Sequence, residues 1–199
     1  LLCTVPGDYH IRFMTSHPKD ASQTLFDAMG ECEKVAPHLP LPVQAGSSRV
    51  LKAMNRHYNS AQYLELVDYA RKVMPDIVLT SDVIVGFPGE TDEDFEESYA
   101  FAKKIGFSKI HVFPYSPKRG TPAAARKDQV SPQKKEERSA KLIALSNKMA
   151  DDFIQKFVGR KMLVLFEQSH ESGKFEGHTS NYINVTVETD KNIKNMILD

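Results

Sequence analysis

The sequence predicts an α/β fold built on a parallel sheet and followed by a small all-β unit, and three observations carry that expectation. Runs of β-branched and apolar residues alternate with amphipathic helical segments through the first three quarters of the chain. One of those runs, Asp82 to Val85, opens through Gly86-Phe87-Pro88-Gly89 into a segment that starts like a capped helix. After Gly159 the helical period stops, and short strand-like runs appear between Gly, Ser, Asn and Asp.

Taken in order, His10 to Thr15 reads as a strand, Ser22 to Gly30 as a short helix, and Leu39 to Val43 as a proline-rich strand entering the Gly46-Ser47-Ser48 turn. Ser60 to Val73 places Tyr63, Val67 and Ala70 at helical spacing, and Pro75-Asp76 stops it before a buried strand running from Ile77 to Val85. Thr91 is placed to cap the next helix with Asp94 as the capping-box carboxylate, and Gly106 to end it. Lys109 to Tyr115 is the following strand, and Ser116 to Pro122 breaks all periodicity. A long helix begins at Ser131-Pro132 and runs towards Phe157, with Leu142, Leu145, Met149, Phe153 and Phe157 on one side. Met162 to Phe166, Phe175 to His178, Tyr182 to Val187 and Ile193 to Leu198 are the expected short strands, giving units over 1–157 and 158–199.

Of the 199 residues, 41% are apolar and 26% charged, which suits a packed globular protein and excludes wholesale disorder. The 26 basic and 26 acidic side chains cancel, so any nucleic-acid contact must be local. The two cysteines, Cys3 and Cys32, are too few for a disulfide scaffold and lack metal-type spacing, so free thiols in a reducing compartment are expected. The seven histidines are scattered without a ligand spacing, which argues against a protein zinc site. No apolar stretch suits a membrane span and no signal-peptide pattern is visible, so the expectation is a cytoplasmic protein that is monomeric and makes no membrane contact. The opening Leu1-Leu2-Cys3 suggests a fragment of a longer protein.

In a parallel α/β sheet, ligands bind at the carboxyl ends of the strands, where glycine lets backbone approach and helix starts offer N–H groups. Gly86, Gly89 and Glu90 occupy that position after the strand holding Asp82, and Gln44 ends another strand. Arg56 follows the helix that starts near Val50. An amide, a guanidinium and a carboxylate together suit a zwitterionic amino-acid moiety, because arginine forks onto a carboxylate while Asp or Gln receives an ammonium. Separately, Arg56 is also explained as a solvated helix-end cation and Gln44 as a loop cap. The combined reading requires Gln44, Arg56 and Asp82 to share one cavity with Gly86 and Gly89.

Five strings, Met14 to Asp20, Leu41 to Ser47, Val50 to Arg56, Asp82 to Thr91 and Tyr115 to Ala123, stand in the order found in radical S-adenosylmethionine tRNA methylthiotransferases, which the chain resembles over almost its whole length. Gly159-Arg160 and Glu176 to Tyr182 look like the RNA-binding TRAM domain of those enzymes. The resemblance implies a partial (β/α) radical SAM barrel followed by a TRAM β-barrel. It also implies two cofactors, S-adenosylmethionine and [4Fe-4S] clusters that cleave it reductively. The partner implied is tRNA, thiolated and methylated at C2 of an N6-modified adenosine in the anticodon loop. By motif position, Ser16, Gln44, Arg56 and Asp82 become cofactor contacts, with Gly86, Gly89 and Glu90 lining the same pocket.

The departures are as informative. The cysteine triplets that hold the family's clusters are absent, and Cys3 and Cys32 lie on different expected segments, so the chain alone is expected to hold no cluster, contribute no catalytic residue and be inactive. Pro40 and Ala45 stand where the family usually has histidine and serine. Tyr115, Lys118 and Arg119 in one loop, and Arg160, Lys161, Lys174, His178, Asn181 and Tyr182 near the end, mix cations with aromatics as single-stranded RNA surfaces do. The substrate motifs divide: Met14 to Asp20 and Lys52 to Arg56 resemble enzymes acting on isopentenyladenosine. Val112 to Ser116 and Glu176 to Tyr182 resemble those acting on threonylcarbamoyladenosine, which is slightly favoured. A cofactor-free RNA-binding module and a methylthiotransferase acting on a ribosomal protein are the alternatives.

Overall fold

The computed structural model describes residues 2–14 and 17–199. Helix α1 (Gln23–Gly30) is capped by Ser22, whose side chain accepts the Leu25 N–H, and it buries Phe26 and Met29. Strand β1 (His38–Pro40) leads through helix α2 (Ser48–Ala53) to helix α3 (Ser60–Val73). A reciprocal Asn59–Gln62 capping box starts α3, which buries Tyr63, Val67 and Ala70 at the expected spacing. Strand β2 (Val78–Val85) follows, then helix α4 (Asp92–Ile105), capped by Thr91 and closed by Gly106 at φ 65°. Strand β3 (Lys109–Pro114) and the 24-residue helix α5 (Pro132–Gln155) complete this part.

The three strands form one parallel sheet in the order β1-β2-β3. Three expected strands are shorter than their sequence suggested: His10 to Thr15, Leu39 to Val43, and Ile193 to Leu198, of which only Ile197–Leu198 is strand. Of His10 to Thr15, the described residues make a single bridge, Ile11 to Val35, because the His38 N–H that would extend the ladder bonds the Ala36 carbonyl at 2.7 Å instead. The Leu39 to Val43 strand is regular only through Pro40, since the Val43 N–H, the next that faces β2, turns to the Ser81 hydroxyl.

One apolar core covers the sheet. Tyr63 is fully buried, packs edge-on to Phe101 and Phe107, and donates its hydroxyl to the Leu41 carbonyl at 2.6 Å. Helix α5 contributes Leu142 and Leu145, and its Ser146 hydroxyl accepts the Ile110 N–H of β3.

Beyond α5, strands β4 (Val164–Ser169), β5 (Lys174–Thr179), β6 (Asn184–Glu188) and β7 (Ile197–Leu198) form a curled antiparallel sheet ordered β6-β5-β4-β7. Its own small core gathers Val164, Phe166, Phe175 and Ile193. A bulge between Phe166 and Gln168 bends β4. No helix among the described residues is long and apolar enough to cross a membrane.

The expectation of free thiols is corrected. Cys3, in a 3-10 turn at Leu2–Thr4, is bonded to Cys32, just past α1, with their Cα atoms 6.1 Å apart. Segments distant in sequence meet here because the first residues fold back beside the end of α1, which pattern reasoning did not anticipate.

Candidate functional site

Strand β2 buries Ser81, Val83 and Val85 on one face and turns Thr80, Asp82 and Ile84 to the other. Asp82 stands in register with His111 of β3. Where β1 leaves the ladder, its backbone stays pinned to β2. The Leu41 N–H reaches the Thr80 carbonyl, the Gln44 N–H reaches the Asp82 carbonyl, and the Ile84 N–H reaches the Gln44 carbonyl, each at 2.9 Å. Gln44 holds φ 69°, a left-handed conformation that costs a non-glycine residue about 1–2 kcal/mol. Such strain persists where the surroundings over-determine it, and it concentrates at ligand sites. Among the described residues, no hydrogen bond or ion pair engages the Asp82 carboxylate.

A cleft of about 840 Å³ opens on this face, bounded by Pro42, Thr80, Asp82, Lys109 and His111 of the first part and by Tyr182 and Asn184 of the second. Of the expected cofactor set, the cleft brings in Asp82. Gln44 is joined to it through backbone. Arg56 lies after α2, with its guanidinium donating to His17 Nε2 at 3.1 Å. Ser16 lies outside the described residues.

Gly86, Gly89 and Glu90 form the turn from β2 into α4, and neighbouring side chains enclose it. The Lys135 stem lies where a Cβ on Gly86 would go, Arg126 and Asp128 do the same at Gly89, and both glycines have positive φ, at 71° and 79°. The buried Glu90 carboxylate accepts the Gly86 N–H at 2.9 Å and Arg138 Nη1 at 2.6 Å. Burial pushes the Glu90 carboxyl above its ordinary value, and the Gly86 N–H and Arg138 oppose that.

At the start of α4, Asp94 accepts hydrogen bonds from Arg49, the Thr91 N–H and the Ser47 hydroxyl. Burial alone would raise its pKa. These donors outweigh burial and hold it well below the carboxylate range. The Gly46-Ser47 turn is thereby tied to α4.

The expected RNA-contact residues are distributed over both parts. Lys118 and Arg119 are exposed on the loop after β3. Tyr115 is half-buried against Phe87, its carbonyl accepts from Lys135 Nζ, and its hydroxyl is buried without a partner. Arg160 lies over the Phe157 ring, Lys161 pairs with Asp199 at 3.4 Å, and Lys174 pairs with Glu188 at 3.2 Å, all exposed.

Tyr182 stacks on His38 and on His178 with centroids 4.6 and 4.5 Å away, and the Arg12 guanidinium is 4.9 Å from its centroid. Sequence reasoning did not find this cluster, because His38 and Arg12 carry no spacing relationship to Tyr182, and the positive φ of 69° at a tyrosine is invisible in sequence.

A sequence profile of the Radical SAM superfamily matches residues 2–102, and the chain belongs to that superfamily. Within it, the chain falls in the tRNA methylthiotransferase family. The tRNA-2-methylthio-N(6)-dimethylallyladenosine synthase of Acetivibrio thermocellus is 44% identical over 191 residues, covering 95% of this chain and 40% of that protein. The synthases of the same name from Zymomonas mobilis and Clostridium tetani are 46% and 42% identical over 84% and 88% of this chain, and 38% and 39% of their own lengths. The chain thus spans about two fifths of the length of these relatives.

The superfamily implies S-adenosylmethionine and iron–sulfur chemistry. The donor set of this chain does not fit a cluster, because its two cysteines are bonded to each other and no group of three His, Cys, Asp or Glu among the described residues could hold a metal ion. For the amino-acid moiety of S-adenosylmethionine the cleft offers the Asp82 carboxylate, while Gln44, Arg56, Gly86 and Gly89 are not among its lining residues, so the single cavity expected from the sequence is not formed.

Proposed function

We propose that this chain is the cofactor- and RNA-binding portion of a tRNA methylthiotransferase. Asp82, Gln44 and Arg56, with Ser16, hold the amino-acid end of S-adenosylmethionine, and the Gly86–Glu90 turn shapes the rim of that site. When bound, S-adenosylmethionine supplies the methyl group and the adenosyl fragment for a reaction at tRNA. The chain's own part is to accept the cofactor's ammonium at Asp82 and Gln44, fork onto its carboxylate with Arg56, and exclude water with the C-terminal sheet. The observation that carries this reading is the Asp82 carboxylate in the cleft, unengaged among the described residues and tied through backbone to Gln44 at φ 69°.

Residues 1–157 make the barrel portion and 158–199 the RNA-binding β-barrel in this reading. Lys118, Arg119, Arg160, Lys161 and Lys174 supply exposed cations to phosphates, while Tyr115 and the edge of Tyr182 add aromatic contact. The protein acts on tRNA as a monomer in the cytoplasm. The substrate is N6-dimethylallyladenosine in the anticodon loop, supported by the names of the relatives and by the Met14 to Asp20 and Lys52 to Arg56 motifs. Threonylcarbamoyladenosine is the second reading, supported by Val112 to Ser116 and Glu176 to Tyr182.

Grafting this chain in place of the matching region of the Acetivibrio thermocellus synthase tests the reading. Nucleoside mass spectrometry of tRNA should show 2-methylthio-N6-dimethylallyladenosine, lost at least about tenfold with Asp82→Asn or Arg56→Lys. Methylthiolation of threonylcarbamoyladenosine instead would reassign the substrate, and full activity of both variants would remove these residues from the cofactor site.

A further inference from the structure

The C-terminal antiparallel sheet meets the N-terminal end of the parallel sheet at one aromatic cluster. His38 is the first residue of β1, 5% exposed, and its Nε2 is 3.2 Å from the Thr80 hydroxyl of β2, which fixes the ring to the parallel sheet. Arg12 belongs to the same part, next to the Ile11–Val35 bridge. On the other side, the turn after β5 carries Tyr182, with its N–H on the Thr179 carbonyl at 3.0 Å. Arg12 Nη2 donates to that same Thr179 carbonyl at 3.0 Å. Glu167 of β4 receives His178 at 2.7 Å and lies 3.9 Å from Arg12.

We propose that Tyr182 is a positioning residue that locks the C-terminal sheet onto the parallel sheet, with its ring held by His38, His178 and Arg12. The two imidazoles lie nearly parallel to its ring with centroids within 4.6 Å, His38 from the parallel sheet and His178 from β5, and the Arg12 guanidinium is 4.9 Å away, so one ring is held by groups of both parts. The left-handed backbone of Tyr182 agrees with this role, because a strained tyrosine persists only where its surroundings hold it. Tyr182 lines the cleft that contains Asp82, so the same ring that joins the two parts bounds that cleft, and 46% of the residue's surface stays accessible. The lock depends only on this chain's own residues, so it stands or falls separately from the cofactor and RNA assignments.

Nuclear magnetic resonance on the full chain tests it. Nuclear Overhauser contacts should join the His38 and Tyr182 rings in the unmodified protein and survive saturating single-stranded oligoadenylate. The ring-current shift of the His38 protons should disappear in Tyr182→Ala and remain in Tyr182→Phe. Protease cleavage between residues 156 and 163 should become about tenfold faster in Tyr182→Ala only. Absence of His38–Tyr182 contacts in the unmodified chain, or their loss when oligoadenylate binds, would overturn the proposal, and neither readout requires a variant to fold. If oligoadenylate does not bind, the RNA assignment fails while the contacts still decide the lock.

Discussion

Arg138 of α5 donates to the Glu90 carboxylate at 2.6 Å, with the two side chains only 5% and 2% exposed. Glu90 passes the constraint on by accepting the Gly86 N–H, so a helix that follows the last parallel strand holds the turn that follows the middle one. Removing one member of such a pair leaves a buried charge without its partner. Arg138→Met should therefore cost about 3–5 kcal/mol in denaturant unfolding, and Arg138→Met with Glu90→Leu should cost less than Arg138→Met alone. A double variant less stable than either single one would mean that the two side chains act independently.

Asp94 should supply part of the acid sensitivity. Its folded pKa is depressed, so its contribution is present above the unfolded value of 3.8 and is lost as pH falls below it. Asp94→Asn should cost about 1–3 kcal/mol at pH 7 and flatten the acid limb of a stability-versus-pH curve. An unchanged acid limb would assign that sensitivity to other carboxylates.

His38 has the opposite charge chemistry and a higher pH window. Burial first, then Arg12 and His178, push its pKa down from 6.5 to about 4. Between those values the unfolded chain binds the extra proton, so stability should fall as pH drops from about 6.5 towards 4 and be level above. His10 is depressed as well, by burial and Arg12 against the pull of Glu167, so His38→Phe should lessen the slope without abolishing it. Chemical denaturation at pH steps between 4 and 8 measures this, and an identical slope in the variant would contradict it.

Gly46 has no room for a side chain. A Cβ there would lie 2.6 Å from Ser98 Cα and 2.7 Å from Phe101 Cβ, so α4 would have to move. Gly46→Ala should cost about 1–3 kcal/mol in thermal or denaturant unfolding, and a neutral result would mean that α4 shifts freely against the turn.

Denatured without reductant, the protein should show no free thiol in a colorimetric titration, and two after reduction, because Cys3 and Cys32 are bonded to each other. Two free thiols before reduction would restore the sequence-based expectation.

Regular elements were legible where local signals agree with tertiary demands. The Ser60 to Val73 span, the Thr91 start, the Gly106 stop and the Ser131-Pro132 opening all coincide with the observed helices, because apolar spacing and local caps agree there. The strand ends at Pro40 and near Ile11 were misread because ladder continuation depends on where single N–H groups turn, and those of Val43 and His38 go to the Ser81 hydroxyl and the Ala36 carbonyl. Asp82 was legible as a carboxylate on an otherwise apolar strand, and the structure puts it on the wall of the cleft. The burial of Glu90 by Arg138, the bond between Cys3 and Cys32 and the stacking of His38 on Tyr182 join residues 29 to 144 positions apart, for which no local pattern exists.

Helix α5 also has a mechanical meaning. At 24 residues it is a rod about 36 Å long, gripping the Gly86 turn near its start and delivering the chain to β4 from its end. Rotational phase along that rod sets which way everything after it faces. A single residue inserted midway would swing the whole C-terminal sheet through about 100°, whereas seven inserted residues would nearly restore its heading while carrying it about 10 Å farther out. The spacing between the glycine turn and the last sheet is thus set by the length of one helix, and only insertions close to whole turns would keep both ends in phase.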